Sequence, residues 1–342
     1  MRDKGVTKGS TPAQPTWQEI VSRYQDPDPI RSWWQVINTL VPYFLLWVLM
    51  IFSLQVSYWL TLLLAIPAAG FMIRTFIIFH DCGHGSFFRS KRANNTLGII
   101  TGIITFTPYY RWRHHHAVHH ATAGDLDRRG VGDIHTMTVE EYQALPLRKK
   151  FLYQLTRNPL LMFTIGSTAV FLIAHRFAYK ATGKRERYSV YWTNMALLAI
   201  FILATLTIGW KAYLLVQMPI LILGTTVGVW LFYVQHQFED VYWERHENWS
   251  FESAALEGSS FYKLPRLLQW ITGNIGFHHI HHLSPRIPNY NLEKCHNDNP
   301  IFQQVEPLTL LASLRCLSLR LWDENKRIMV GFESDVSFVD FN

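Results

Sequence analysis

The sequence predicts an all-α integral membrane protein: four transmembrane helices in two hairpins, a histidine-rich cap on the cytoplasmic side, and further re-entrant or interfacial helices. Three observations predict it. Apolar residues are 49% of the chain and charged residues only 17%, proportions foreign to a soluble chain of 342 residues. Four apolar runs are long enough to cross a bilayer and fall into two pairs with short connections. Three clusters of histidine stand at or beyond the ends of those runs.

Residues 1–35 are polar, carry Pro12, Pro15, Pro27 and Pro29, and contain no short apolar stretch followed by a small-residue cleavage site. They read as a cytoplasmic N-terminal segment, because Arg2, Lys4, Lys8, Arg23 and Arg31 precede the first apolar run. Trp33 and Trp34 sit where an interfacial aromatic belt would begin. Residues 36–54 hold no charge and form the first span; residues 55–57 make the external turn. The second span, residues 57–79, is interrupted only by Arg74, expected to snorkel toward the headgroups, and it delivers His80 and His84 at its inner end. Residues 97–108 are apolar but only 12 long. At about 1.5 Å per residue they cannot cross a hydrocarbon core of roughly 30 Å, so they read as re-entrant or interfacial.

Parity then fixes the crossings. Three more apolar runs follow, at 159–174, 189–210 and 212–235. If one centre draws on all three histidine clusters, an even number of crossings separates His120 from His278. One of the three runs therefore does not span. The basic segment 176–187 marks a cytoplasmic loop, and the shortest run precedes it. Residues 159–174 thus lie in or dip into the membrane, leaving four crossings. Pro285 and Pro288 stop the helix of the third cluster. Residues 308–321 have apolar residues at helical spacing, predicting an amphipathic helix on the membrane face. The expected organisation is a segment 1–35, a membrane domain 36–308, and an amphipathic helix with a C-terminal tail over 309–342.

The net charge of +7 flanks apolar runs, which points to anionic headgroups and not to nucleic acid. Cys82, Cys295 and Cys316 form no C-x-x-C pair.

The histidine clusters carry the chemistry. In the central one, His116, His119 and His120 share a helical face, with His114 and His115 beside them. His278, His281 and His282 repeat the H-x-x-H-H spacing, and His80 and His84 are an i,i+4 pair. Any one cluster is compatible with a wetted basic face; three with ligand spacing point to metal. Eight imidazoles exceed the four ligands of one zinc, so two metals are the simpler account, with His236 at the end of the last span as a ninth ligand. There is no H-E-x-x-H, only a lone E-x-x-H at Glu293–His296, and no nucleotide or flavin motif. Neutral imidazoles leave the metal charge uncompensated and the site electrophilic. A copper or zinc transporter competes, but its ligands belong near the midplane of the spans.

The stretches His80-Asp-Cys-Gly-His84, His116-Ala-Val-His119-His120 and His278-His-Ile-His281-His282 resemble the three histidine boxes of the membrane fatty acid desaturases. The likeness runs over residues 33–308, and the wording around the boxes is most similar to the delta-12, or omega-6, acyl-lipid branch. The resemblance implies a non-haem di-iron centre, O2 as co-substrate, electrons from a donor such as a ferredoxin or cytochrome b5, and a cis double bond placed in a lipid-linked acyl chain, oleoyl to linoleoyl. It implies that His80, His84, His116, His119, His120, His278, His281 and His282 are iron ligands, and His236 matches a further histidine of the stearoyl-CoA branch. That branch has an asparagine one turn earlier that holds a water; here the position is Phe232, so the site must be filled otherwise, and Gln235, Gln237 and Asn274 are candidates. Asp81 is a candidate for orienting a ligand ring or capping a helix, with Asp125, Asp127 and Asp133 open to either role. His114, His115 and His279 match no ligand position; His135, His175, His246 and His296 read as surface or interface histidines. An alkane or carotenoid hydroxylase or ketolase would share the boxes, and a lipid-binding protein with a relic site would bind no iron.

Overall fold

The computed structural model describes residues 16–178 and 183–332. The first part of the N-terminal segment, the middle of the basic 176–187 segment and the end of the C-terminal tail lie outside the described residues.

Helix α1 (Trp17–Ser22) opens with a capping box in which Thr16 and Glu19 exchange hydrogen bonds. Helix α2 (Pro29–Ser53) starts where Asp28 accepts from the backbone N–H groups of Ile30 at 2.8 Å and Arg31 at 3.3 Å, with proline at the first helical position. Helix α3 (Tyr58–His84) stops at Gly85, whose φ of 75° turns the chain just past the histidine pair. Between the hairpins come α4 (Lys91–Ile104), α5 (Tyr109–Thr122), β1 (Met137–Thr138), α6 (Val139–Gln143) and α7 (Leu147–Thr156), then a π-helical turn leading into α8 (Ser167–Leu172). The second hairpin is α9 (Lys184–Thr207) and α10 (Trp210–His236), joined at Gly209. The remainder is α11 (Phe251–Leu256), β2 (Phe261–Lys263), α12 (Arg266–Ile271), α13 (His278–Leu283), α14 (Asn289–Asp298), β3 (Pro307–Thr309), β4 (Leu321–Asp323) and β5 (Ile328–Val330).

α2, α3, α9 and α10 are the four described helices long and apolar enough to cross a membrane. Where the dip was expected, α7 and the stretch Leu161–Arg176 form a bent pair that meets at 67°. The bend has a local cause. Pro159 cannot continue the helix, and the Asn158 side chain accepts from the N–H groups of Leu160 at 3.0 Å and Leu161 at 3.3 Å to start a new one.

α3 is central and packs against α2, α4 and α10. The start of α9 lies against α5: the Tyr110 N–H donates to Ser189 Oγ at 3.0 Å, and the Arg185 guanidinium sits 3.9 Å above the Tyr110 ring. That contact puts the beginning of the second hairpin at the histidine end of the molecule, as the crossing parity requires.

Two local expectations are corrected. Arg74 does not snorkel: it is 6% exposed, donates to Thr39 Oγ1 at 3.0 Å and to the Trp270 carbonyl, and stacks on the Trp270 ring. Residues 308–321 are no continuous amphipathic helix but strand β3, a 3-10 helix over Ala312–Ser318 and the start of β4. The inward residues there, Ser313 and Cys316, are three apart, which suits three residues per turn; apolar spacing alone does not separate that period from 3.6. β4 pairs in parallel with β1 and antiparallel with β5, while β3 pairs with β2, so residues 309–332 are woven into the cap. Within 1–35, Ile20 and Val21 of α1 pack with Phe277, Ile280 and Leu283 around α13.

Candidate metal centre

Four elements deliver nine histidines to one place. α3 brings His80 and His84 on its last turn, α5 brings His116, His119 and His120, α10 ends on His236, and α13 carries His278, His281 and His282. Packing fixes each delivery. The Tyr109 hydroxyl donates to the Cys82 carbonyl at 2.6 Å and ties the start of α5 to the end of α3. Phe79 packs on Trp112, which stacks on the His116 ring at 4.3 Å.

The rings sort into two groups. His80, His84, His116, His120 and His281 form one; His119, His236, His278 and His282 form the other, and within each the ligand atoms lie within 4.8 Å of one another. In the first, His120 Nε2 stands 3.1 Å from both His116 Nε2 and His281 Nε2. In the second, His236 Nε2 stands 3.2 Å from His119 Nε2 and 3.0 Å from His278 Nε2. The groups touch where His120 and His282 stack at 4.1 Å.

Outer hydrogen bonds decide which nitrogen faces inward. Asp81 lies 3.1 Å from His80 Nδ1, Asp133 bonds His119 Nδ1, and the Gly258 carbonyl is 3.2 Å from His236 Nδ1. Each acceptor takes the Nδ1 proton and leaves an Nε2 lone pair aimed at the group centre. Asp81 is itself held by Asn289, through its backbone N–H at 2.7 Å and its amide at 2.8 Å. Burial, with neighbouring imidazoles adding to it, pushes His116, His120, His278, His281 and His282 well below the ordinary imidazole value, which favours the neutral ring.

Such a set fits metal ions. Lone pairs converging at 3.0–3.2 Å repel unless a cation lies between them, and imidazole–metal bonds of about 2.1 Å place neighbouring ligand nitrogens about 3 Å apart. His84 Nε2 and His282 Nε2 are buried without a hydrogen-bond partner, each a donor atom in search of an acceptor of its lone pair. No carboxylate belongs to either group.

An apolar cavity of about 380 Å³ opens onto this centre. His80, His116 and His278 stand at one end, and Thr105, Phe171, Gly224 and Gly228 line it farther off. From Gly224 to His236 along α10 is about 18 Å at 1.5 Å per residue, so the cavity runs deep between the spans.

The remaining candidates separate cleanly. Phe232 sits 5.2 Å from the His119 ring and 5.3 Å from that of His236. Of the three residues expected to make up for it, only Gln235 lines the cavity, and its amide donates to the Ile275 carbonyl. Gln237 accepts from Arg157 at 2.7 Å. Asn274 accepts from Gln269 at 3.1 Å and donates to the Asn289 carbonyl at 3.3 Å. His115 and His175 line the cavity, whereas His279 is buried 3.3 Å from His296, away from both groups. Asp125 and Asp127 hold His246 and Arg245. Asn289 is the residue that sequence reasoning missed; it lies far along the chain from Asp81, and no local spacing signals the pair.

Residues 57–307 match the family described as Fatty acid desaturase. A Bacillus subtilis protein named fatty acid desaturase is 52% identical over 314 residues, covering 92% of this chain and 89% of its own. An sn-1 oleoyl-lipid 12-desaturase of Synechocystis sp. is 27% identical over 238 residues, 65% of this chain and 63% of that protein. An omega-6 fatty acid desaturase, chloroplastic, of Glycine max is 26% identical over 289 residues, 79% of this chain and 62% of that protein.

Proposed function

Since the chain belongs to the fatty acid desaturase family, a family of O2-dependent oxidoreductases, we propose that its two histidine groups hold a pair of iron ions and that it desaturates a lipid-linked acyl chain. His80, His84, His116, His120 and His281 would surround one iron; His119, His236, His278 and His282 would surround the other. The balance is –CH2–CH2– plus O2, two electrons and two protons, giving –CH=CH– and two waters. Bound there, the iron pair supplies the O2 chemistry. The electrons come from a separate donor such as a ferredoxin or cytochrome b5, in keeping with a chain that has no nucleotide or flavin motif.

The observation that carries this reading is the meeting of nine imidazoles with the end of a deep apolar cavity. The cavity orders a hydrocarbon chain and excludes water along it, so that a mid-chain methylene pair rests beside His80, His116 and His278. Asp81, Asp133 and Gly258 hold their rings in place. The position of the new bond rests on the box wording and on relatives 26 and 27% identical, whose names specify the 12 and omega-6 positions; on that support the substrate is an oleoyl chain and the product a diene.

Expression in a host that makes oleate but no dienes, with a compatible donor, tests this. A cis diene appears and its position is read by mass spectrometry. A double bond elsewhere replaces the delta-12 reading, and hydroxylated or ketone products move the protein to a hydroxylase. Gly228 offers a second test, because a Cβ there meets nothing within 4 Å. Gly228→Leu should fill the cavity and lower turnover about 100-fold by displacing the chain, with iron content unchanged.

The histidine end faces the cytoplasm in this proposal, supported by the basic residues of 1–35 and 176–187. Cysteines at exposed positions Ala121 and Lys184 should label from that side, and one at Val56, 78% exposed, from the other. Labelling of Ala121 and Lys184 from opposite sides breaks the crossing count.

A further inference from the structure

A second cavity, about 480 Å³, lies across α3 from the apolar one, and the two linings share no residue. Ile73, Ile77 and His80 line the first; Arg74 opens onto the second. There Arg31, Arg74 and Arg266 face a single carboxylate, Glu293. None of the three arginines is in an ion pair among the described residues. Arg31 donates to Asn291 Oδ1 at 2.8 Å and the Tyr290 carbonyl at 2.6 Å, and Arg74 to Thr39 and the Trp270 carbonyl. These are neutral partners. A nearly buried guanidinium with no counter-charge, as Arg74 is, is costly, and an anion beside it offsets part of that cost.

The position of the cavity says which anion reaches it. Trp34, 64% exposed, and Trp270, 40% exposed, line it, and Leu267 is 67% exposed on the same short helix α12. Exposed tryptophan and leucine next to arginine, at the histidine ends of α2 and α3, mark the level of the bilayer–water interface. Phosphate groups lie at that level, and guanidinium forks match their geometry.

We propose that this cavity is a phosphate-binding site at the membrane interface, holding the headgroup phosphate of an anionic lipid that is not the acyl substrate. α3 stands between the site and the apolar cavity, so a chain lying beside the histidines cannot place its headgroup here. The site borders the metal centre all the same: Asn289, on its wall, is the residue that holds Asp81 against His80.

Native mass spectrometry of the full chain in neutral detergent tests the proposal with four probes: phosphatidylglycerol, phosphatidylcholine, diacylglycerol and inorganic phosphate. The expected result is one tightly held phosphatidylglycerol, weaker phosphatidylcholine and no diacylglycerol. Arg266→Gln should weaken phosphatidylglycerol about fivefold. Arg266 is exposed, so this variant keeps the fold; Arg74→Gln should weaken binding more. Gly228→Leu, which fills the other cavity, should leave the retained lipid in place, separating this site from substrate binding and from the desaturase reading. Competition by inorganic phosphate supports phosphate recognition, and phosphate bound where no phospholipid is retained assigns the same site to the free anion. Equal retention of phosphatidylglycerol by the wild type, Arg266→Gln and Arg266→Glu overturns the proposal, as does retention of diacylglycerol at the level of phosphatidylglycerol.

Discussion

The two histidine groups are built from the same side chain but differ in number and in support. The first has five rings drawn from three helices, and its His80 is steadied by Asp81, itself clamped by two donors of Asn289. The second has four rings, and the Phe232 ring lies against His119 and His236. Its His119 is steadied by Asp133, which receives one further bond, at 3.2 Å from the Gly130 N–H, in a loop. Losing one ring leaves four imidazoles in the first group and three in the second. The second group should therefore hold its metal less tightly than the first.

Ligand deletion should have the largest effect. His120→Ala removes a ring that stands against two others of its group and stacks on His282 of the other, so product formation should be lost and iron content should fall below two per chain by elemental analysis. His282→Ala should leave about one iron and His84→Ala close to two, although neither forms product. Equal iron loss in those two variants would break the distinction between the groups. Purified protein with one zinc and no second metal would sink the di-iron assignment altogether.

Changes to the outer hydrogen bonds come next. Asp133→Asn and Asp81→Asn should each cost about 10–100-fold in activity or metal affinity. Asn289→Ala should reproduce the Asp81 phenotype only at its lower end, about tenfold, because Asp81 then loses the side-chain amide donor and keeps the backbone N–H of residue 289. Chelator-release rates distinguish the two: Asp133→Asn should speed loss of one iron only. Phe232→Asn is a smaller change of opposite sign for the second group, slowing chelator release by giving it an oxygen donor. Turnover should stay within about tenfold of wild type. If release quickens instead, the Phe232 ring is itself needed to seat His119 and His236. His115→Ala should matter least, within about threefold in turnover, because that ring lines the cavity but belongs to neither group.

Periodicity and charge explain why so much of the fold was legible. A span must be apolar over about 20 residues and must satisfy its own backbone, so the runs at 36–54 and 57–79 announce α2 and α3 without reference to anything distant. The basic loop and the meeting of the clusters at one end fix the crossing parity, and the Tyr110–Ser189 contact puts the start of α9 at that same end. Local patterning was less informative outside the membrane. Residues 308–321 show apolar spacing that serves a 3-10 helix as well as an α-helix, and their strands exist only through partners at 137–138 and 261–263.

The sequence by itself determined the helical membrane class, the three clusters and the identity of the eight box histidines, because helical ligand spacing is a property of a few adjacent residues. It also supplied His236 from its place at the end of a span. Tertiary structure alone decided the partition into five and four, the clamp of Asn289 on Asp81, the bond from Asp133 to His119, and the separation of two cavities by α3. The physical reason is range. A nitrogen takes its group from the packing angles of four helices, and a carboxylate finds its imidazole through backbone paths tens or hundreds of residues long, neither of which leaves any spacing in the chain to read.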